Sequence, residues 1–124
     1  MNVLLDTHVL LWALGNVPMR ADARSLIENT RNTVCVSAAS AWEIGIKKAL
    51  GKLGAPDDLE NQIRDARFIP LQVTIAHGLA VGELPRLHGD PFDRLLVAQA
   101  KLENLTLVTR DERLGEYGVP ILAA

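Results

Sequence analysis

The chain has 124 residues, 48% of them hydrophobic and 23% charged, with a formal net charge of −2. That balance excludes a disordered chain and suits one globular domain over residues 1–124 with a core of its own. A single cysteine, Cys35, excludes an internal disulfide framework and a cysteine-built zinc site. Thirteen basic and fifteen acidic residues are spread along the chain without a basic block, so net charge alone announces no nucleic-acid binder. The longest apolar run, Val9 to Leu14, is far too short for a membrane span, and no basic segment precedes it as in a secretory leader. A cytoplasmic protein without membrane attachment is expected.

Short apolar runs alternate with helical patterns. Asn2 to Leu5 reads as a buried strand and Thr7 to Leu14 as an amphipathic helix, broken by Gly15 and Pro18. Arg20 to Thr30 reads as a helix with Ala23, Leu26 and Ile27 on one face, and Val34 to Val36 as the second strand. A helix from Ala38 to Leu50 ends at Gly51 and Gly54, and another runs from Asp57 to Arg67 with Asp57 or Asp58 as its cap. Phe68 to Val73 is a third strand, weakened by Pro70, and Thr74 to Leu84 a helix closed by Pro85. The best-defined helix runs from Pro91 to Asn104, with Asp90 as N-cap and proline in the first helical position. Leu105 to Val108 is the fourth strand, Asp111 to Glu116 a short helix and Val119 to Leu122 a last strand. This alternation predicts an α/β fold with a mainly parallel sheet covered on both faces, and such sheets bind ligands beyond the carboxyl ends of their strands.

Four acids fall at or near that edge. Asp6 follows the first strand and Asp111 lies just past the fourth, after Thr109 and Arg110. Asp93 is in the first turn of the helix opened by Asp90, and Glu43 lies seven residues past Val36. Helical side chains lean toward their own N-terminus, which brings Asp93 back to the sheet edge. Carboxylates gathered there would repel one another unless a cation joined them, and oxygen-only donors select Mg²⁺ or Mn²⁺. Each acid also has an ordinary alternative: Asp6, Asp90 and Asp111 as caps, Asp93 as a helix-dipole acid, and Glu43 as the far member of a capping box begun by Ser40.

At these residues the sequence resembles the PIN-domain nucleases, specifically the VapC-type toxins of toxin–antitoxin systems. The matching stretches are Leu4-Leu5-Asp6-Thr7-His8, Val36-Ser37 through Trp42-Glu43-Ile44, His88 through Leu96, and Leu107 through Asp111. Of these, His88-Gly89-Asp90-Pro91-Phe92-Asp93-Arg94 is the most specific. The resemblance implies a three-layer α/β/α domain and a Mg²⁺- or Mn²⁺-dependent endoribonuclease. It further implies a cognate antitoxin that holds the enzyme inactive, and a homodimer. It assigns the acidic positions to Asp6, Glu43, Asp93 and Asp111, with Asp111 the most replaceable, and a hydroxyl position to Thr109. Ser37 holds a similar place after its strand and is expected to orient Asp6 or a metal-bound water.

Lys47, Arg94 and Arg110 flank these acids. They read either as phosphate-gripping cations or, for Lys47 at i+4 from Glu43, as one half of a helical ion pair. His8 is expected to make a structural hydrogen bond, and His88 to shape its glycine-containing loop. His77 has no partner at ligand spacing. Trp12, Trp42 and Cys35 are expected in the core. Two rivals remain. A catalytically silent PIN-like binding domain would keep the same acids. A phospho-receiver domain would need an acid pair after the first strand and Lys before Pro near the end, where this chain has Asp6-Thr7-His8 and Val119-Pro120.

Overall fold

A computed structural model describes residues 1–124. The strands are β1 (Asn2–Leu5), β2 (Thr33–Ser37), β3 (Ile69–Leu71), β4 (Thr106–Thr109) and β5 (Ile121–Ala123). The helices are α1 (Thr7–Leu14), α2 (Ala21–Glu28), α3 (Ala38–Ala49), α4 (Leu59–Asp65), α5 (Ile75–Val81) and α6 (Pro91–Glu103), with a 3₁₀ segment over Glu112–Tyr117. All strand pairs are parallel, in the order β3-β2-β1-β4-β5. The chain builds outward from β1 to β3, then crosses back to place β4 on the other side of β1. Strand order therefore reverses between β1 and β4, the position where a parallel sheet leaves a crevice at its carboxyl edge.

β1 sits at the centre and is apolar on both faces, as a doubly covered strand must be. Its side chains alternate between two cores. Leu4 joins Leu96, Val97, Leu107 and Leu114 beneath α6 and the 3₁₀ segment. Val3 and Leu5 join Val9, Leu10, Ala23 and Ile44 beneath α1 and α2, with Leu59 and Ile63 of α4 packed against them. The result is the three-layer α/β/α arrangement. No helix is long and apolar enough to cross a membrane.

Boundaries move by a few residues where local signals mislead. α4 begins at Leu59, and neither expected acid caps it by a side chain: Asp57 pairs with Lys48 at 2.6 Å and Asp58 accepts from Gln62 at 2.9 Å. β3 is short and carries Pro70 because it is an edge strand, where a missing donor costs least. The fourth strand runs to Thr109 rather than stopping at Val108, which buries the Thr109 hydroxyl. Cys35 is buried as expected and Trp12 half-buried against the second core, but Trp42 is 60% exposed. α3 turns Ala39, Ser40, Glu43 and Ile44 inward, so Trp42, one residue from Glu43, is left on the outer side.

Candidate active site

Asp6 continues β1 for one residue: its N–H donates to the Val108 carbonyl at 3.0 Å, which fixes the backbone beside β4. One carboxylate oxygen then caps α1, accepting from the Val9 N–H at 2.8 Å. The side chain is buried, and burial pushes its pKa up. Hydrogen bonding from Thr109 and Val9 opposes the rise, and the nearby Glu43 adds to it. Thr109 also accepts the Asp111 N–H on its hydroxyl oxygen at 3.0 Å, so one buried hydroxyl serves two of the acids.

Glu43 reaches the site from the second turn of α3. The capping box expected from Ser40 does not form, because α3 starts at Ala38 with Ser37 as its cap. Ser40 is an interior residue whose hydroxyl accepts from Thr7 at 3.0 Å, tying α3 to α1. Glu43 is thus free of cap duty, and although it is 4% exposed it pairs with the Lys47 ammonium. That pairing holds the Lys47 pKa up, with Asp90 and Asp93 contributing. The helical ion pair is therefore the observed state of Lys47, not a cation free to grip phosphate.

Asp90 caps α6 through the Phe92 and Asp93 N–H groups, at 2.8 and 3.2 Å. Proline at the first helical position completes the start. Asp93 is left with no donor of its own. Its pKa is raised to about 7, first by burial, then by Asp90 and Asp6, with Glu43 adding to the rise and His88 opposing it. Asp111 is the contrary case. The Arg113 guanidinium clasps both its oxygens, at 2.9 and 2.8 Å, and holds its pKa down to about 2.

His88 joins the two. Its Nδ1 accepts the Asp90 N–H at 3.1 Å, the loop-shaping bond expected of it, so in the neutral ring the hydrogen sits on Nε2. Nε2 donates to Asp111 at 3.3 Å and faces Asp93 at 3.8 Å. These three side chains offer ligand atoms within 4.8 Å of one another. With its hydrogen on Nε2, His88 acts as a donor to the carboxylates. This second role of His88 escaped the sequence reading, because a spacing of five residues from Asp93 across a loop says nothing about distance.

The other sequence-predicted positions are placed as follows. Ser37 turns away from Asp6: its hydroxyl caps α3 through the Ala39 N–H and donates to Gln99 at 2.6 Å. Arg94 is spent on structure. Its terminal nitrogens donate to the carbonyls of Val81, Leu84 and Pro85 and to the Tyr117 hydroxyl. Arg110 is exposed on the rim, makes no ion pair, and lies 4.7 Å over the Trp12 ring. His8 is exposed beside Trp12 and makes none of the hydrogen bonds expected of it, although its charge lowers the pKa of Asp6. His77 is buried in the opposite layer, where it completes the α5 capping box and meets Glu103 at 2.8 Å.

Fold and site together define an α/β protein with a carboxylate centre at the switch point of a parallel sheet. The chain belongs to the PIN domain family, which matches residues 3–120. It is 30% identical over 125 residues to Ribonuclease VapC22 of Mycobacterium tuberculosis, a match covering 95% of this chain and 93% of that protein. It is 38% identical over 60 residues to Ribonuclease VapC16 of the same organism, covering 45% of this chain and 43% of that one. Among solved structures, the fold is shared with VapBC2 of Rickettsia felis bound to a promoter DNA fragment, at TM-score 0.72 and 19% identity, covering 100% of this chain and 99% of that one. It is shared also with the DNA-bound VapBC of Salmonella typhimurium, at TM-score 0.67 and 20% identity, covering 99% and 98%.

Proposed function

We propose that this chain is a divalent-metal-dependent endoribonuclease and the toxin of a toxin–antitoxin pair, acting through Asp6, Glu43, Asp93 and Asp111. The observation that carries the reading is the gathering of acids: Asp6, Glu43 and Asp90 act on Asp93, and Asp111 meets the same His88 nitrogen that Asp93 faces. Such a cluster is costly without a cation and favourable with one. The donors are carboxylate oxygens, which suit Mg²⁺ or Mn²⁺. Asp6, Glu43 and Asp93 would hold the ion, with Asp111 completing the cluster. A bound ion of this kind supplies charge neutralisation and an activated water for in-line hydrolysis of a phosphodiester.

The chain's own residues do the positioning. Val9 and Thr109 fix the Asp6 carboxylate. His88 and Arg113 fix that of Asp111. Lys47 neutralises Glu43 until another cation takes its place. The same carboxylates would receive an Arg or Lys side chain from an antitoxin, and the VapBC assemblies among the structural relatives support a partner of that kind. The reading also carries a homodimer and a cytoplasmic site of action.

Cleavage of a single-stranded RNA by the purified chain in Mg²⁺, abolished by EDTA and restored by Mn²⁺, is the expected result. Undiminished cleavage in EDTA, with contaminating nuclease excluded, refutes the metal dependence. RNA binding without cleavage in either ion would leave the silent binding domain as the reading.

A further inference from the structure

Of the two tryptophans in the chain, Trp42 stands beside the carboxylate centre. Trp42 immediately precedes Glu43 and is 60% exposed. Phe92 immediately precedes Asp93, and its ring meets that of Trp42 edge to face, with centroids 5.1 Å apart and planes at 67°. The Lys47 ammonium lies 5.7 Å from the Phe92 centroid while bonded to Glu43, so the aromatic pair borders the acids directly. The exposed Arg110, next to Asp111 in the chain, covers Trp12 at 4.7 Å. An exposed aromatic ring beside the acids suits a strand whose bases stack on it.

We propose that Trp42, braced by Phe92, is the platform on which a base flanking the scissile phosphate stacks, so that the enzyme selects single-stranded RNA with an unstacked base at that position. This rests on the nuclease reading above and adds a substrate-contacting residue to it. Stacking fits the placement: the pair is anchored at one edge and leaves most of the indole open to solvent. A base in a continuous duplex has both faces covered and cannot use such a platform, whereas loops and single strands can. Trp42 also heads an exposed apolar line with Ile46 and Leu50 along α3, which would suit a protein partner. Trp42 and Phe92 each precede a proposed metal-holding acid, so the exposed ring lies where the substrate must pass, which favours RNA.

The test uses a fluorescein-labelled, mixed-sequence 20-nucleotide RNA in Mg²⁺. Trp42→Ala is expected to raise KM about tenfold with a smaller effect on kcat, and Trp42→Phe to recover most of the loss. Removing the base beside the mapped cleavage site should penalise the parent protein and not Trp42→Ala. A KM within about twofold of the parent, or an equal penalty from the abasic RNA in both proteins, overturns the proposal. So does unchanged cleavage by Trp42→Ala accompanied by altered self-association in sedimentation, which would assign the face to a protein contact. Should the parent not cleave at all, the nuclease reading fails separately. Anisotropy of the same RNA on Asp6→Asn with and without Trp42→Ala then decides stacking: equal affinities overturn it, and a tenfold loss supports it in a binding domain. The exposed position of Trp42 makes unfolding of the variant unexpected, and an unchanged melting temperature checks this.

Discussion

Asp93 and Asp111 face one histidine nitrogen, yet their carboxyls stand at about 7 and about 2. The difference lies in their company. Asp93 projects from the first turn of α6 toward Asp6 and Glu43, half-buried and without a cation of its own. Asp111 is about as exposed as Asp93, but the exposed Arg113 reaches it from the solvent side. Folding alone satisfies the outer acid, while the inner group is satisfied only by something that binds. On the proposed reading, Asp93 is the acid that a bound cation would relieve.

Breaking the inner side should have the largest effect. Asp6→Asn or Asp93→Asn is expected to lower RNA cleavage by about 100-fold or more, and Asp111→Asn by about 10-fold, in single-turnover assays with Mg²⁺. Asn keeps the Asp6 cap, so circular dichroism should find the fold intact. Equal losses in all three variants would erase the distinction between inner and outer acids.

Next in size is the response to metal. An ion that binds only the folded state stabilises by RT ln(1 + [L]/Kd), about 2.7 kcal/mol at a hundredfold excess over Kd. Thermal melts should show this gain in the parent, most of it retained in Arg113→Ala and most of it lost in Asp93→Asn.

The sign reverses in EDTA. Removing a charge from the inner cluster relieves repulsion, so Asp93→Asn should gain about 0.5–2 kcal/mol at pH 8. A helix-dipole acid would instead lose a few tenths to about 1 kcal/mol on the same change. Asp111→Asn, which breaks a partly exposed ion pair, should lose a little. A denaturant melt that ranks both variants below the parent would mean that Asp93 is only a helix-end acid.

The same repulsion shapes the pH profile. A carboxyl raised to about 7 keeps its proton in the folded chain after the unfolded chain has released it, so this group's contribution is full below about pH 4 and declines as pH rises through 7. Asp111 works the other way: its contribution is present above about pH 4 and is lost as pH falls toward 2. In EDTA, Asp93→Asn should flatten the loss of stability between pH 4 and 7 and leave the acid limb alone.

Much of this was legible in residue order, because it rests on local chemistry. Alternating apolar runs and helical patterns specify parallel strands with covering helices. Asp90 followed by proline starts α6 wherever the helix packs. Asp6 after β1 and Asp111 just past β4 fall at the carboxyl edge of any parallel sheet. Other features depended on what lay across space. Lys47 was readable as partner or as phosphate grip, and packing buried Glu43 beside it. Arg94 lies in the most specific motif, yet its guanidinium went to carbonyls at the end of α5 and in the connection before α6, which no spacing encodes. Ser37 met Gln99, 62 residues away, instead of Asp6. The exposure of Trp42 and the bridging by His88 were decided likewise, by how α3 and the loop before α6 are turned against the sheet. Sequence fixes which groups are available and the local bonds they can make, whereas a long side chain's partner and an acid's proton affinity depend on burial and distance, which only the packed layers supply.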